Sequence, residues 1–351
     1  IAYCVKGSSH GRDLVSKCVA VRQKLNCDCI YVLMDYDVIV IGGGPAGLSA
    51  AVYTRRAELK TAIIEKLTFG GIITTTDLIE NYLGFPAISG ADFGKAIQQH
   101  AMKYNPDMIQ AEVHAVKPIE GGYAVESDAG SLTTKTVIVA SGAAPKKLGI
   151  PGENEYFGRG VSTCATCDGP FFAKRDVAVV GGGDSALSEG LYLSRLVNKI
   201  YLIHRRDKLR AEPILQKRFS ELSNVEYLWN SVVTKIAGEK KVTGITVKNV
   251  TTGEEQEINV SAVFIYIGEV PQTSFVDVKK DENGYIMTDE NMQTSSPGIF
   301  AAGDCRHSLT KQAIISAGEG ALAAIAAQMY IEGRLRSKER PEAVNPQRIL
   351  S

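Results

Sequence analysis

From Asp37 onward, short apolar runs alternate with stretches of helical period, the pattern of strand and helix units laid around a parallel sheet. Val38–Ile41 is the first run, and the glycine-rich segment Gly42 to Gly47 follows it. A helix is expected from Leu48 to Ala57 and a second strand over Thr61–Glu65. The plan recurs with a strand over Asp176–Val180, a turn over Gly181 to Ala186, a helix over Leu187–Leu196 and a strand over Lys199–Ile203. Thr136–Ala140 and Ala262–Ile267 read as further strands, Gly298–Asp304 as a strand entering a turn, and Gln312–Tyr330 as a long Ala-rich helix. Two such units in one chain, too far apart for a short repeat, predict two domains of α/β class.

In the first unit Gly42-x-Gly44-x-x-Gly47 has a strand before it, a helix after it and an acid, Glu65, at the end of the next strand. The first glycine permits the tight turn and the second lets the backbone approach a pyrophosphate. The third lets helix and strand pack closely, and Glu65 accepts hydrogen bonds from a ribose. The expected ligand is FAD or NAD; a glycine turn that merely packs a helix on a sheet is the bland alternative. The second unit, Gly181-x-Gly183-x-x-Ala186 with Asp184 and Ser185 inside it, ends its next strand in His204-Arg205-Arg206, with Arg210 following. Guanidinium groups bind a 2′-phosphate bidentately where a carboxylate would repel it, so NADPH is expected over NADH.

Between the units stands Cys164-Ala165-Thr166-Cys167, followed at once by Asp168. Such spacing closes a small reversible disulfide ring and lowers one thiol's pKa, and an adjacent acid can exchange the proton that dithiol chemistry needs. Half a zinc site is the competitor. It lacks its second pair of ligands, since Cys305 and His307 are isolated, so no metal is expected. Cys305 reads as a small core residue.

Bulk properties narrow the setting. Lys+Arg and Asp+Glu balance at 39 each, which gives no reason to expect nucleic acid or an anionic membrane. The apolar stretch Val38–Val52 is broken by glycines and Pro45, and no run is expected to span a bilayer. Seven cysteines, an odd and sparse count, suit a reducing cytoplasm rather than a secreted disulfide scaffold. Residues 1–33 do not resemble the rest of the chain and end just before Met34, so they read as an extension outside the fold.

Together these residues resemble the low-molecular-weight thioredoxin reductases of bacteria and archaea, from about Asp35 to Gly333. The resemblance is carried by residues 42–47, Glu80-Asn81-Tyr82, Ser141-Gly142-Ala143, residues 164–169, 181–186 and 204–211, and Gly303-Asp304 with Gln312-Ala313. It implies two Rossmann-like domains, with an NADPH-binding domain (148–270, carrying the Cys pair) inserted into a discontinuous FAD-binding domain (34–147 and 271–335) ahead of a tail, 336–351. FAD would be held by Gly42, Gly44, Pro45, Ala46, Gly47, Glu65, Gly70, Gly71, Ile72, Asn81, Gly142, Gly303, Asp304, Gln312 and Ala313. Cys167 would face the flavin, Cys164 would attack the protein substrate, and Asp168 would serve as acid and base.

The implied activity is NADPH-dependent reduction of an oxidised thioredoxin or glutaredoxin-like dithiol protein by a homodimer whose NADPH domain rotates. Three positions depart from the family: Ile72 stands for a usual Gln, Ser141 for Thr and Lys311 for Arg. The rivals are a related flavoprotein fed by another electron donor, which the basic cluster at 204–206 disfavours, and a non-catalytic flavin-binding redox sensor, which has no use for a second nucleotide site.

Overall fold

The computed structural model describes residues 34–335; the readings made on residues 1–33 and 336–351 lie outside them. Strand β1 (Tyr36–Ile41) runs into the first glycine turn and helix α1 (Pro45–Arg56), and β2 (Thr61–Glu65) returns parallel to β1. After a 3₁₀ turn at Ile72–Thr75 come α2 (Gly90–Met102), β3 (Asp107–Gln110), β4 (Val113–Ile119), β5 (Gly122–Ser127) and β6 (Gly130–Val139). The sheet order is β3-β2-β1-β6-β5-β4, in which β5 is antiparallel to both β4 and β6.

A short strand β7 (Ala143–Pro145) leads out of this sheet to β8 (Val161–Ser162), the short helix α3 (Ala165–Asp168), β9 (Asp176–Gly181), α4 (Asp184–Ser194), β10 (Lys199–Ile203), α5 (Pro213–Ser220) and β11 (Val225–Leu228). The antiparallel strands β12 (Ser231–Gly238), β13 (Val242–Asn249) and β14 (Glu255–Ile258) follow, then β15 (Ala262–Tyr266). The second main sheet is parallel throughout, in the order β11-β10-β9-β15-β8. β16 (Glu269–Pro271) pairs with β7 on the way back, and β17 (Ile299–Ala301) then joins the first sheet beside β6. A parallel sheet is thus inserted into a mixed one.

Burial on both faces explains why these strands read as continuous apolar runs. Val38, Val40 and Ile63 on one face and Ile39 and Ile64 on the other are all within 1% of fully buried, each worth about 1.5–3 kcal/mol. Both helices that leave glycine turns start three residues earlier than the sequence reading. Pro45 at N1 lacks only an N–H that would be orphaned anyway, and Asp184 complements the helix dipole.

The last helix, α6 (Ala313–Ile331), corrects a sequence expectation. Its 19 residues are long and apolar enough by length and composition to cross a membrane, with a mean hydropathy of 1.4 over an 18-residue window of which 39% is buried. Ile314, Ile315, Leu322, Ile325 and Ile331 contribute more to that hydropathy than the alanines do, but Gly318, Glu319 and Gly320 interrupt the apolar run in the sequence. Ser316, Gly320, Ala323 and Ala327 form a small-residue face that lets the helix lie close on α1. A Cβ at Gly320 would stand 2.0 Å from the Ala46 carbonyl oxygen.

Candidate redox and dinucleotide sites

The first glycine turn is close-packed. A Cβ at Gly47 would meet the Gly42 carbonyl oxygen at 1.8 Å, and Gly42 itself has φ +109°. These contacts force glycine at both positions. Gly44 is the N-cap of α1 and offers no side-chain cap, so the N–H groups of Ala46 and Gly47 mark the N-terminal end of the helix, while Leu48 N–H donates to the Gly44 carbonyl at 2.9 Å. Glu65 at the end of β2 accepts from Gly43 N–H at 2.6 Å and from Leu67 N–H at 2.8 Å. The expected acid therefore faces the turn.

Several expected flavin-side residues gather around it. Gly70 and Gly71 both take positive φ, and the Gly71 Cβ position lies 2.8 Å from Gly44 Cα. Ile72 is half exposed at the start of the 3₁₀ turn. Gly142 has φ +66° and open space where a Cβ would stand. Asn81 donates to Gln312 Oε1 at 3.2 Å, which joins two segments far apart in sequence. Gln312 is the N-cap of α6 and Ala313 its first residue. Gly303 sits 3.0 Å from the Ala46 side chain, measured from its Cβ position, and Asp304 accepts from the Ser316 hydroxyl at 3.2 Å. Burial chiefly raises the Asp304 pKa, and Lys311 opposes it.

The sequence reading missed what props this turn. Glu319 accepts from Gly303 N–H at 2.8 Å and pairs with Arg306 at 2.8 Å, their side chains only 11% and 16% exposed. Lys311 donates to the Asp304 and Arg306 carbonyls, so it works on the backbone at this point. The acid in the middle of an Ala-rich helix was the available signal.

In the second unit Gly181 (φ +149°) makes the turn. Gly183 has nothing within 4 Å of its Cβ position, and α4 again starts uncapped, with Asp184, Ser185 and buried Ala186 in its first turn. Arg205, Arg206 and Arg210 are exposed, and none forms a salt bridge among the described residues. Their loop is fixed by its backbone, because Arg210 N–H donates to the Gly182 carbonyl at 2.7 Å. His204 differs from them. It is 5% exposed, its ring fills the space beside Gly182, and its Nε2 is buried without a partner. Desolvation, helped by the three arginines, lowers its pKa, which keeps the ring neutral.

Cys164 and Cys167 form a disulfide with Sγ–Sγ 2.08 Å. Cys164 caps α3 by accepting from Cys167 N–H at 3.2 Å; Cys167 is exposed and Asp168 half-buried. Cys305, the free cysteine among the described residues, is fully buried, as a core residue should be. Among the described residues no cluster of His, Cys, Asp and Glu could hold a metal ion. The redox loop touches the first unit through Thr166, whose hydroxyl donates to the Thr75 carbonyl. Two ion pairs cross alongside, Arg195 with Asp77 and Arg218 with Glu80.

The disulfide stands in the chain between the two glycine turns, and the pattern of pyridine nucleotide-disulphide oxidoreductases matches residues 36–327. The chain belongs to that family. It has the family's two Rossmann-like domains, one inserted in the other. A thioredoxin reductase of Treponema pallidum is 44% identical over 300 residues, 85% of this chain and 98% of the relative. The crystal structure of the Lactococcus lactis thioredoxin reductase in its FR conformation superposes with TM-score 0.83 at 40% identity, covering 85% of this chain and all of that one. The thioredoxin reductase of Streptococcus pyogenes, 41% identical over 85% of this chain and 98% of its own, reaches only 0.57. Equal sequence similarity with unequal superposition is what a rigid rotation between two domains produces.

Proposed function

We propose that this chain is a thioredoxin-disulfide reductase that carries electrons from NADPH through bound FAD to Cys164–Cys167 and on to an oxidised thioredoxin-like protein. The observation that carries the reading is the closed Cys164–Cys167 disulfide, partly exposed, on a loop that stands in the chain between the two glycine turns. Bound FAD supplies the two-electron relay between a hydride donor and a disulfide.

The residues fit both nucleotides. The uncapped start of α1, with Gly42, Gly44, Pro45, Ala46 and Gly47 around it, suits a pyrophosphate, and Glu65 reaches the same turn to hold a ribose. Gly70, Gly71, Ile72, Asn81, Gly142, Gly303, Asp304, Gln312 and Ala313 would line the flavin on that side. Gly181, Gly183, Asp184, Ser185 and Ala186 would hold the second pyrophosphate. The three unpaired guanidinium groups of Arg205, Arg206 and Arg210 would take the 2′-phosphate, over a turn propped by neutral His204. Cys167 takes the flavin-side role, Cys164 attacks the substrate disulfide, and Asp168 donates and accepts the proton at sulfur.

The sheets support domains at 34–147 with 271–335, and at 148–270. For Cys167 and the nicotinamide to reach one flavin in turn, the inserted domain rotates about the paired strands β7 and β16. Ile314, Ile315, Leu322 and Ile325 stand 38–42% exposed on α6, which supports a homodimer that covers them. The balanced charge and sparse cysteines support a cytoplasmic enzyme without nucleic acid or membrane partners.

Anaerobic NADPH should bleach the flavin of the purified protein, and oxidised thioredoxin should restore it. Cys164→Ser and Cys167→Ser should keep bleaching and lose recovery. Full thioredoxin reduction by either variant would remove the pair from the mechanism, and bleaching by NADH alone would remove the 2′-phosphate reading.

A further inference from the structure

Glu189 lies midway along α4, and the residue is only 8% exposed. Burying a carboxylate is costly unless it is held or protonated. One hydrogen bond reaches it: Ala165 N–H, the first amide inside the Cys164–Cys167 loop, donates to Glu189 Oε2 at 3.2 Å. Ala165 is fully buried, so the carboxyl touches the redox loop from beneath, one residue from Cys164.

Among the described residues its other neighbours offer no compensating cation. Tyr266 on β15 brings a buried hydroxyl up to the same Ala165 N–H and feels the charges of both Glu189 and Asp168. Asp77, across the domain boundary, acts on Glu189 with like charge, and the nearby Arg195 is committed to Asp77. Burial foremost, opposed by Ala165 N–H and reinforced by Asp77, pushes the Glu189 carboxyl up to about 7.

We propose that Glu189 takes up a proton when the neighbouring disulfide is reduced, and so couples the Cys164–Cys167 redox equilibrium to pH. The inference rests on the reading of that pair as the redox couple. The S–S bond accepts an electron pair, drawn from reduced pyridine nucleotide in that reading, and it breaks to one thiolate and, with one proton, one thiol. The new thiolate is a negative charge beside the carboxylate, which answers by binding a second proton from solvent.

The sign follows from the two states. With the disulfide intact, Glu189 loses its proton as pH rises past about 7. With the thiolate present the like charge holds that proton to higher pH. Between the two, reduction consumes one extra proton, and rising pH opposes it by up to about tenfold per pH unit.

The test is a redox titration of the flavin-loaded full chain in mixtures of reduced and oxidised dithiothreitol at pH 6, 7 and 8. Acid quench, alkylation and mass spectrometry of the peptide bearing Cys164 and Cys167 give the reduced fraction. Glu189→Gln keeps an acceptor for Ala165 N–H and cannot titrate. Wild type and E189Q should coincide at pH 6, where Glu189 is already protonated. By pH 8 the variant's pair should be reduced further by roughly three- to tenfold in the same buffer. Curves that stay parallel at all three pH values overturn the proposal.

A second readout needs no variant. Reduced-minus-oxidised infrared spectra of the wild type at pH 8 should gain a protonated-carboxyl C=O band, and its absence also overturns the proposal. A pair that never interconverts at any poise would overturn the disulfide-reductase reading itself, which the parallel-curve outcome would leave standing.

Discussion

Removing Arg205 and Arg206 together isolates the donor specificity of the enzyme. Both side chains are exposed and make no ion pair among the described residues, while their loop is held by backbone bonds from Arg210 N–H to the Gly182 carbonyl and from Asn230 N–H to the Arg206 carbonyl. Truncation to alanine should therefore change the folding free energy by no more than about 0.5 kcal/mol. Each charge-assisted hydrogen bond to a phosphate is worth about 1.5–3 kcal/mol, and solvent exposure puts these two at the low end. About 3 kcal/mol in total is a factor of roughly 100, at 1.4 kcal/mol per tenfold. The loss should fall on the KM for NADPH, with kcat at saturation nearly kept, because the 2′-phosphate is held equally in ground and transition states. NADH has no such phosphate and should lose less than about threefold. Initial rates with each nucleotide at saturating oxidised thioredoxin provide the check. A parallel loss of kcat/KM on NADH and NADPH would refute the reasoning, and so would an unchanged NADPH efficiency.

Two further outcomes follow from charge pairs. Glu319→Ala leaves the guanidinium of Arg306 unpaired in a nearly buried site and deprives Gly303 N–H of its acceptor, so it should cost about 3–5 kcal/mol in denaturant unfolding and weaken flavin retention on gel filtration; normal retention and midpoint would mean the pair does not support the turn. Asp77→Asn with Glu80→Gln removes two part-exposed ion pairs across the domain boundary, together worth about 1 kcal/mol, and should shift the balance between domain arrangements about fivefold. Small-angle scattering and kcat, both compared at low and high salt, would report that shift, and identical profiles for variant and wild type would show that the pairs do not bias the arrangement.

The parts of the fold that could be read from the sequence were those whose information is local. Thr61–Glu65 and Lys199–Ile203 came out with the observed limits, because a strand buried on both faces is a bare apolar run flanked by polar residues. The helix starts at Pro45 and Asp184 were placed late, since turn glycines and a proline conceal the first helical turn. Contacts between distant segments were not legible: nothing near Glu189 in sequence points to Ala165, and nothing near Arg218 points to Glu80. Asn81 and Gln312 follow the same rule, since the family resemblance marks both residues but not their mutual hydrogen bond. His204 was grouped with its basic neighbours because its burial beside Gly182 depends on a turn outside its own strand.

The seating of α6 on the first glycine turn also dictates an order of assembly. Gly320 lies against Ala46, and Glu319 on the same helix holds Gly303, so the turn formed by residues 42–47 acquires its roof from residues near the other end of the described region. On the ribosome, the inserted sheet can close as soon as β15 has emerged, because every strand in it is drawn from residues 161–266. The surrounding sheet must wait, with β1 and β6 in place but one face uncovered, until α6 is made. The domain whose glycine turn is synthesised first is thus the one that folds last.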